Sequence, residues 1–124
     1  MPDSITVDFD ENFQASLTLG NGDGNLNLAD LHPCGNFQFE VVAEGDSNLI
    51  VRTRGEIPVI YFRKDVGGHL SFLKTLDLHR SQTIPGNDPN LVLGIVALTS
   101  DKTTPIVVCF NLFRDDRRLT FNFL

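Results

Sequence analysis

The chain has 124 residues, of which 41% are hydrophobic and 21% charged, and its formal net charge is −6. This length suits one domain with its own core, so we expect residues 1–124 to form a single all-β domain. The largest basic group, Arg114 with Arg117 and Arg118, is too small to form the positive stripe that nucleic acid or an anionic membrane surface requires. Ten Phe residues against one Tyr and no Trp favour an apolar core over a wet aromatic binding face.

No targeting segment is recognisable in the sequence, because the first four residues are polar and acidic rather than basic and then apolar. The longest apolar runs, from Leu91 to Leu98 and from Ile106 to Phe110, are too short to cross a bilayer. We therefore expect a cytoplasmic protein. In that reducing compartment Cys34 and Cys109 are expected to stay free rather than to pair.

Apolar and polar residues alternate along most of the chain, which is the pattern of half-buried strands. In chain order, residues 4–19 are predicted to form a hairpin that turns at 10–12, and residues 37–53 a second hairpin that turns at 44–46. Strands at 57–63 and 70–78 follow, and residues 80–90 are predicted to be a long loop. The last predicted strands are Leu91–Thr99, residues 105–113 and the C-terminal run of Leu119, Phe121 and Phe123.

This succession of short strands predicts an antiparallel β-sandwich of about eight to nine strands, jelly-roll-like, with a closed β-barrel as the alternative. Helix signals are nearly absent, and the single candidate turn near Leu28 to Leu31 is stopped by Pro33. The residues predicted to lie in the core are Phe39, Leu93, Val108, Phe110 and Phe121.

Two runs depart from the alternation, from Leu91 to Leu98 and from Ile106 to Phe113, because both of their faces are apolar. A strand of this kind must be covered on both faces. Cover within the chain, by a loop or by barrel closure, is one explanation, and a second subunit is the other. The residues of the surplus face are Val92, Val96, Leu98, Val107, Cys109 and Phe113.

The segment from residue 19 to residue 31 resembles the calcium loop of dockerin modules and EF-hands. In that pattern the candidate ligands are Asn21, Asp23, Asn25, Asn27 and Asp30. Gly24 falls at the sharp turn of the loop and Leu26 at its apolar position. The resemblance implies a calcium site, because Ca²⁺ needs six to eight oxygen atoms converging on one point.

The same segment departs from the calcium-loop pattern at its first position, where Leu19 replaces the usual Asp. Pro33 and Gly35 also interrupt the helix that would follow. A turn between strands without any metal is the simpler alternative, since Gly and Asn supply such turns by themselves.

Other candidate chemistry is weaker. Cys109 lies in an apolar strand where a thiolate is disfavoured, which leaves Cys34 beside His32 as the thiol to test for reactivity. Asp8, Asp10 and other carboxylates cluster at turns, where Asp commonly binds the backbone.

The middle strands carry Arg52, Arg54, Arg63 and Lys64 at polar positions. We expect these bases to form salt links. If they shared one sheet face, a carboxylate or phosphate ligand would suit them.

Because no catalytic constellation emerges, the sequence favours a non-catalytic binding or assembly module that acts as an oligomer, with calcium dependence through the Asn21 to Asp30 loop. One alternative is a small β-barrel that encloses an apolar ligand, as a carrier or as an isomerase or cyclase. A second alternative is a structural subunit of a larger assembly. The fold class by itself does not choose among these functions.

Overall fold

The computed structural model describes residues 4–19, 31–33, 37–45, 47–99 and 103–124. Every regular element within these ranges is a β-strand. In chain order the strands are β1 (Ser4–Asp8), β2 (Gln14–Leu19), β3 (Leu31–Pro33), β4 (Phe37–Glu44), β5 (Asn48–Gly55), β6 (Val59–Lys64), β7 (Leu70–Leu76), β8 (Ser81–Pro85), β9 (Leu91–Thr99), β10 (Pro105–Asp115) and β11 (Arg118–Phe123).

The strands form two antiparallel sheets that are not closed into a barrel. The larger sheet has the order β1-β11-β10-β9-β6-β7, and the short β3 pairs with the same edge of β9 as β6 does. The smaller sheet has the order β2-β4-β5-β8. The predicted all-β antiparallel sandwich is therefore confirmed, and the barrel alternative is not.

Short connections join strands that are neighbours in a sheet, for example β4 and β5, at the turn predicted at 44–46, as well as β9 and β10, and β10 and β11. Gly45 and Asp116, in the first and the last of these turns, have φ angles of 59° and 51°. Glycine adopts this left-handed conformation at little steric cost, and Asp tolerates it. Each short connection sets the register of its two strands, so alternation on either side places the apolar residues on the same face.

The hairpin predicted over residues 4–19 is wrong, because β1 pairs with β11 in the larger sheet whereas β2 pairs with β4 in the smaller one. The chain crosses between the sheets at residues 9–13. At this crossing the backbone N–H groups of Asn12 and Gln14 donate to Asp10 Oδ1, at 2.8 and 2.9 Å. Alternation is the same in a hairpin and in a crossing between layers, so the pattern alone could not separate them.

The structure also corrects the predicted loop at 80–90, since β8 lies within it and pairs with β5. With β3, this strand brings the number in the described residues to eleven rather than eight or nine. The two strands are five and three residues long. Neither is long enough to carry a clear alternation, which explains why the sequence did not reveal them. The helical turn predicted near Leu28 lies outside the described residues, apart from Leu31, which begins β3.

The core lies between the two sheets and contains the five side chains predicted to be there. Phe39, Leu93, Val108, Phe110 and Phe121 are all buried. The Phe39 ring packs edge-to-face on Phe110 and Phe121, with ring centroids 6.3 and 6.1 Å apart. Because Phe39 belongs to the smaller sheet and the other two rings to the larger, this aromatic cluster joins the layers.

The basic group near the C-terminus closes one end of the sandwich. The Arg117 guanidinium lies 4.9 Å from the centre of the Phe13 ring, and that of Arg114 lies 5.9 Å from the centre of the Phe9 ring. Arg114 Nη1 also donates to the Gly45 carbonyl at 2.5 Å. The two ring contacts attach this end of β10 and its turn to the crossing between β1 and β2, and the hydrogen bond attaches it to the β4–β5 turn.

Candidate functional site

The side of the larger sheet that faces away from the core carries two bands of uncharged side chains, and we call this surface the outward face. The apolar band lies on β6, β7, β9 and β10 and contains Phe62, Phe72, Val92, Val96, Val107 and Phe113. The polar band lies on β1, β10 and β11 and contains Ser4, Thr6, Asn111, Thr120 and Asn122. Charged residues stand only at the margin of these bands among the described residues, for example Lys64 and the Asp8–Arg118 pair.

Several apolar side chains of the outward face are open to solvent. Phe72 is 63% exposed, Phe113 49% and Val107 46%. Phe62 packs against Phe72 with ring centroids 6.5 Å apart, so the apolar band continues to the edge strand β7. Phe62 and Val107 approach each other over Gly94, whereas Phe113 lies six residues further along β10. Exposed apolar side chains that adjoin one another, as Phe72, Phe62 and Val107 do, are typical of interaction surfaces.

The structure corrects one member of the predicted surplus face, because Val92 is fully buried. It is paired in register with Phe62 on β6. On the β10 side, the Asn111 side chain reaches across and donates to the Leu91 carbonyl at 2.6 Å. These neighbours lie on either side of Val92 within the same sheet. Val96 and Cys109 are partly buried, and the side chain of Leu98 lies outside the described residues.

Gly94 allows the side chains of Val107 and Phe62 to approach each other across β9. A Cβ atom at this position would stand 2.8 Å from Val107 Cγ1 and 3.0 Å from Phe62 Cε2. Both distances are too short for ordinary contact, so the side chains of β6 and β10 close over β9 only because residue 94 has none.

Cys109 lies near the middle of the outward face, opposite Gly94. Burial raises the pKa of its thiol, since a partly desolvated site disfavours the thiolate. The group is therefore a small apolar side chain at neutral pH rather than an activated nucleophile.

A groove of about 520 Å³ lies on the opposite side of the molecule, over the solvent-facing side of the smaller sheet. Its floor is a row of cross-strand neighbours, Ser16, Glu40, Arg52 and Ser81, which come from β2, β4, β5 and β8 in that order. The end of β1 and the crossing that follows it form one wall. A polar groove of this size can hold a small molecule.

The two arginines of the groove have different partners. Arg54 Nε donates to Glu40 Oε1 in an ion pair. Arg52 Nε is shielded from solvent and has no hydrogen-bond partner among the described residues. A buried guanidinium N–H without an acceptor is unfavourable, so this group is suited to receive an acceptor from a ligand.

The structure divides the four bases that the sequence grouped. Arg52 and Arg54 lie two residues apart on β5 and share the groove, whereas Arg63 and Lys64 lie on β6 of the other sheet. Arg63 Nη1 is 3.4 Å from Asp88 Oδ2, which is one of the predicted salt links. The groove itself was not predicted, because its wall comes from β1, which the sequence paired with β2.

The candidate calcium ligands Asn21, Asp23, Asn25, Asn27 and Asp30 lie outside the described residues, as does Cys34. Calcium binding and the expected free thiol of Cys34 therefore stay predictions. In the part of the chain that the structure describes, no three His, Cys, Asp or Glu side chains are close enough together to hold a metal ion.

Comparisons with protein-family models, with curated proteins and with solved structures give no match to this chain. Its function is therefore argued from its own surfaces. Within the described ranges, no helix has the length and apolar character needed to cross a membrane.

Proposed function

We propose that the protein is a non-catalytic assembly module that pairs with a second copy of itself through the outward face of the larger sheet. The observation that carries this proposal is the exposure of Phe72 and Val107 at the two ends of the apolar band, where Phe72 packs on Phe62 and both Phe62 and Val107 lie against Gly94. Burying that apolar area would supply the free energy of association.

The charge distribution favours a second copy as the occupant. Each chain has a net charge of −6, so two copies repel one another over most of their surface. The outward face is a surface on which both copies can approach without bringing carboxylates together. A two-fold axis along the strands, between β9 and β10, would stack Val107 on Val96 of the second copy. The same axis would lay β6 and β7 of each copy over β11 and β1 of the other, so the aliphatic contacts lie at the centre and the hydroxyl groups meet the edge of the apolar band.

The size of the outward face also suits a dimer. Six strands at a spacing of ~4.8 Å and about seven residues of ~3.3 Å each cover about 600 Å². Stable pairs of small proteins bury roughly 600–1,000 Å² on each partner, so this face reaches the lower end of that range.

The carrier alternative receives less support. The sheets of the sandwich are not closed on themselves. Bulky side chains such as Phe39 and Phe121, fully buried between the layers, occupy the space that an enclosed ligand would need. A structural subunit would use the same outward face, and it would differ from a dimer in the mass of the assembly.

The test is the mass in solution by light scattering at micromolar to millimolar chain concentration. We expect the wild type to approach twice the 13.8 kDa of the chain, and Val107→Lys to remain a monomer because it places a charge in the apolar band. Thr83→Lys is the matched control, since Thr83 is exposed on the smaller sheet and the variant should still pair. Circular dichroism checks that each variant is folded.

The thiol of Cys109 gives a second readout. In the Cys34→Ser background it is the only thiol of the chain. Its reaction with a thiol reagent should slow as the protein concentration rises, because pairing covers the outward face. A wild type that stays monomeric at millimolar concentration would overturn the proposal, and a mass well above two chains would favour the larger assembly.

A further inference from the structure

The groove over the smaller sheet lies on the side of the sandwich opposite to the outward face, so its occupant can be argued independently of pairing. It has a volume of about 520 Å³ and is lined by residues of both sheets. Nothing in the proposed assembly uses these residues. Two features of the lining restrict the chemistry of a ligand. The first is a guanidinium N–H without a partner among the described residues, and the second is an acidic wall.

The first feature is Arg52, which occupies the middle of the groove floor between Glu40 on β4 and Ser81 on β8. Its Nε lacks an acceptor among the described residues although it is shielded from solvent. Glu40, the carboxylate directly opposite, forms an ion pair with Arg54. The nearest carboxylate to Arg52 therefore binds another arginine, and the Arg52 Nε–H has no acceptor. The planar guanidinium matches the geometry of a carboxylate, so a ligand carboxylate can supply the missing acceptor.

The second feature is the acidic wall formed by Asp10. Asp10 Oδ1 accepts two backbone hydrogen bonds at the crossing between β1 and β2, and a carboxylate has lone pairs for further donors. The Asp8 carboxylate lies instead beside Arg118, at the margin of the outward face. The Asp10 oxygens accept hydrogen bonds but repel a second negative charge, so the ligand should present hydroxyl groups on this side.

The spacing of the two features suits a single sugar-sized molecule. Arg52 is on β5 and the acidic wall stands beside β2, which is two strands away in the smaller sheet. Two strand spacings amount to roughly 10 Å, which the side chains then narrow. We propose that the groove binds a hydroxylated monocarboxylic acid of the sugar-acid class, with its carboxylate on Arg52 and its hydroxyl groups on the oxygens of Asp10.

The charge count of the lining explains why one carboxylate is preferred over several. Two carboxylates, those of Asp10 and Glu40, stand in the groove with two guanidiniums, those of Arg52 and Arg54. A ligand with one negative charge leaves the groove with a modest excess of negative charge. A tricarboxylate would add two more negative charges beside the acidic wall.

The experiment is isothermal titration calorimetry with three probes, namely sodium glucuronate, glucose and citrate. We expect glucuronate to bind, and both glucose, which lacks the carboxylate, and citrate, which adds charges, to bind at least about tenfold more weakly. Tighter binding of citrate would overturn the inference, because it would mark a general anion site. Absence of glucuronate binding at about 50 mM would also overturn it.

Variants identify the residue that holds the carboxylate. Arg52→Gln should weaken glucuronate binding at least about tenfold, and Arg52→Lys should weaken it less, because a point charge replaces the fork. Arg63→Gln removes the same charge from the other sheet and should leave binding unchanged. If Arg52→Gln fails to fold, Arg52→Lys carries the test. Equal affinity in wild type and in the folded Arg52 variants would overturn the assignment.

Discussion

Thr53 has a buried hydroxyl on the core side of β5. The residue is 1% exposed, and its Oγ1 has no hydrogen-bond partner among the described residues. Its neighbours on the core face are apolar, with Phe39 paired opposite and Val51 two residues away on the same strand. A hydroxyl without a partner in such surroundings loses its hydrogen bonds to water on folding and gains none in return.

We therefore expect Thr53→Val to raise the free energy of unfolding by about 1–2 kcal/mol, because it replaces the hydroxyl by a methyl group of similar shape. Urea denaturation measures the change. Thr83→Val, at an exposed position on β8 of the same sheet, is the control and should change stability by less than about 0.5 kcal/mol. A loss of stability in Thr53→Val would mean that the hydroxyl donates or accepts a bond that the variant breaks.

At the scale of elements, the contact between β9 and its two neighbours depends on Gly94. The side chains of Phe62 and Val107 lean over this residue from β6 and β10. Glycine in a strand usually costs stability, and a close approach of other groups is one of the reasons for which it is retained. In this protein the close approach also builds the apolar band that we propose as the dimer surface.

Gly94→Ala should lower the free energy of unfolding by about 1–3 kcal/mol, because the new methyl group displaces Val107 and Phe62. A double-mutant cycle gives the decisive comparison. In a Val107→Ala background the 2.8 Å contact with Cγ1 no longer exists, so Gly94→Ala should cost clearly less. The same cost in both backgrounds would show that the strain arises elsewhere.

The elements that the sequence predicted correctly are those whose partner lies next to them in the chain. The hairpins β4–β5, β9–β10 and β10–β11 each join two apolar or alternating runs through a short turn, and the turn sets the register. The pairing of β1 with β11 joins the two ends of the chain. No local pattern encodes that contact, so residues 4–19 were assigned to a hairpin.

The same distinction applies to the two candidate surfaces. The parity of β10 correctly placed Val107 and Phe113 outside, and the two-residue spacing of Arg52 and Arg54 placed them on one face of β5. The burial of Val92 and the acidic wall of the groove depend on which strands adjoin β9 and β2. That information is in the sheet order, which alternation does not determine.

For the molecule as a whole, the two sides of the sandwich differ in the chemistry they offer. Among the described residues, the outward face carries charged side chains only at its margin, which suits another protein surface. The groove is concave and carries guanidinium and carboxylate groups, which suits a small polar ligand. Because the core separates the two surfaces, pairing and ligand binding can be altered independently by substitutions on either side.

The stability of the whole chain should also depend on pH through Cys109. Burial raises the pKa of this thiol in the folded protein. As the pH rises the unfolded chain therefore loses its proton first, which favours unfolding. The stability that the protonated thiol contributes is complete below the ordinary thiol range, at about pH 8.5, and is lost as the pH rises through the folded pKa.

We expect the free energy of unfolding of Cys34→Ser to fall more steeply, as the pH rises above about 8.5, than that of Cys34→Ser/Cys109→Ser, which has no thiol to ionise. Burial also raises the pKa of Tyr61, but this group is present in both variants and cancels in the comparison. If a second copy covers the outward face, the thiol is shielded further, so the difference between the variants should grow with protein concentration. Equal slopes at all concentrations would contradict both the burial of Cys109 in the folded chain and its place in a dimer surface.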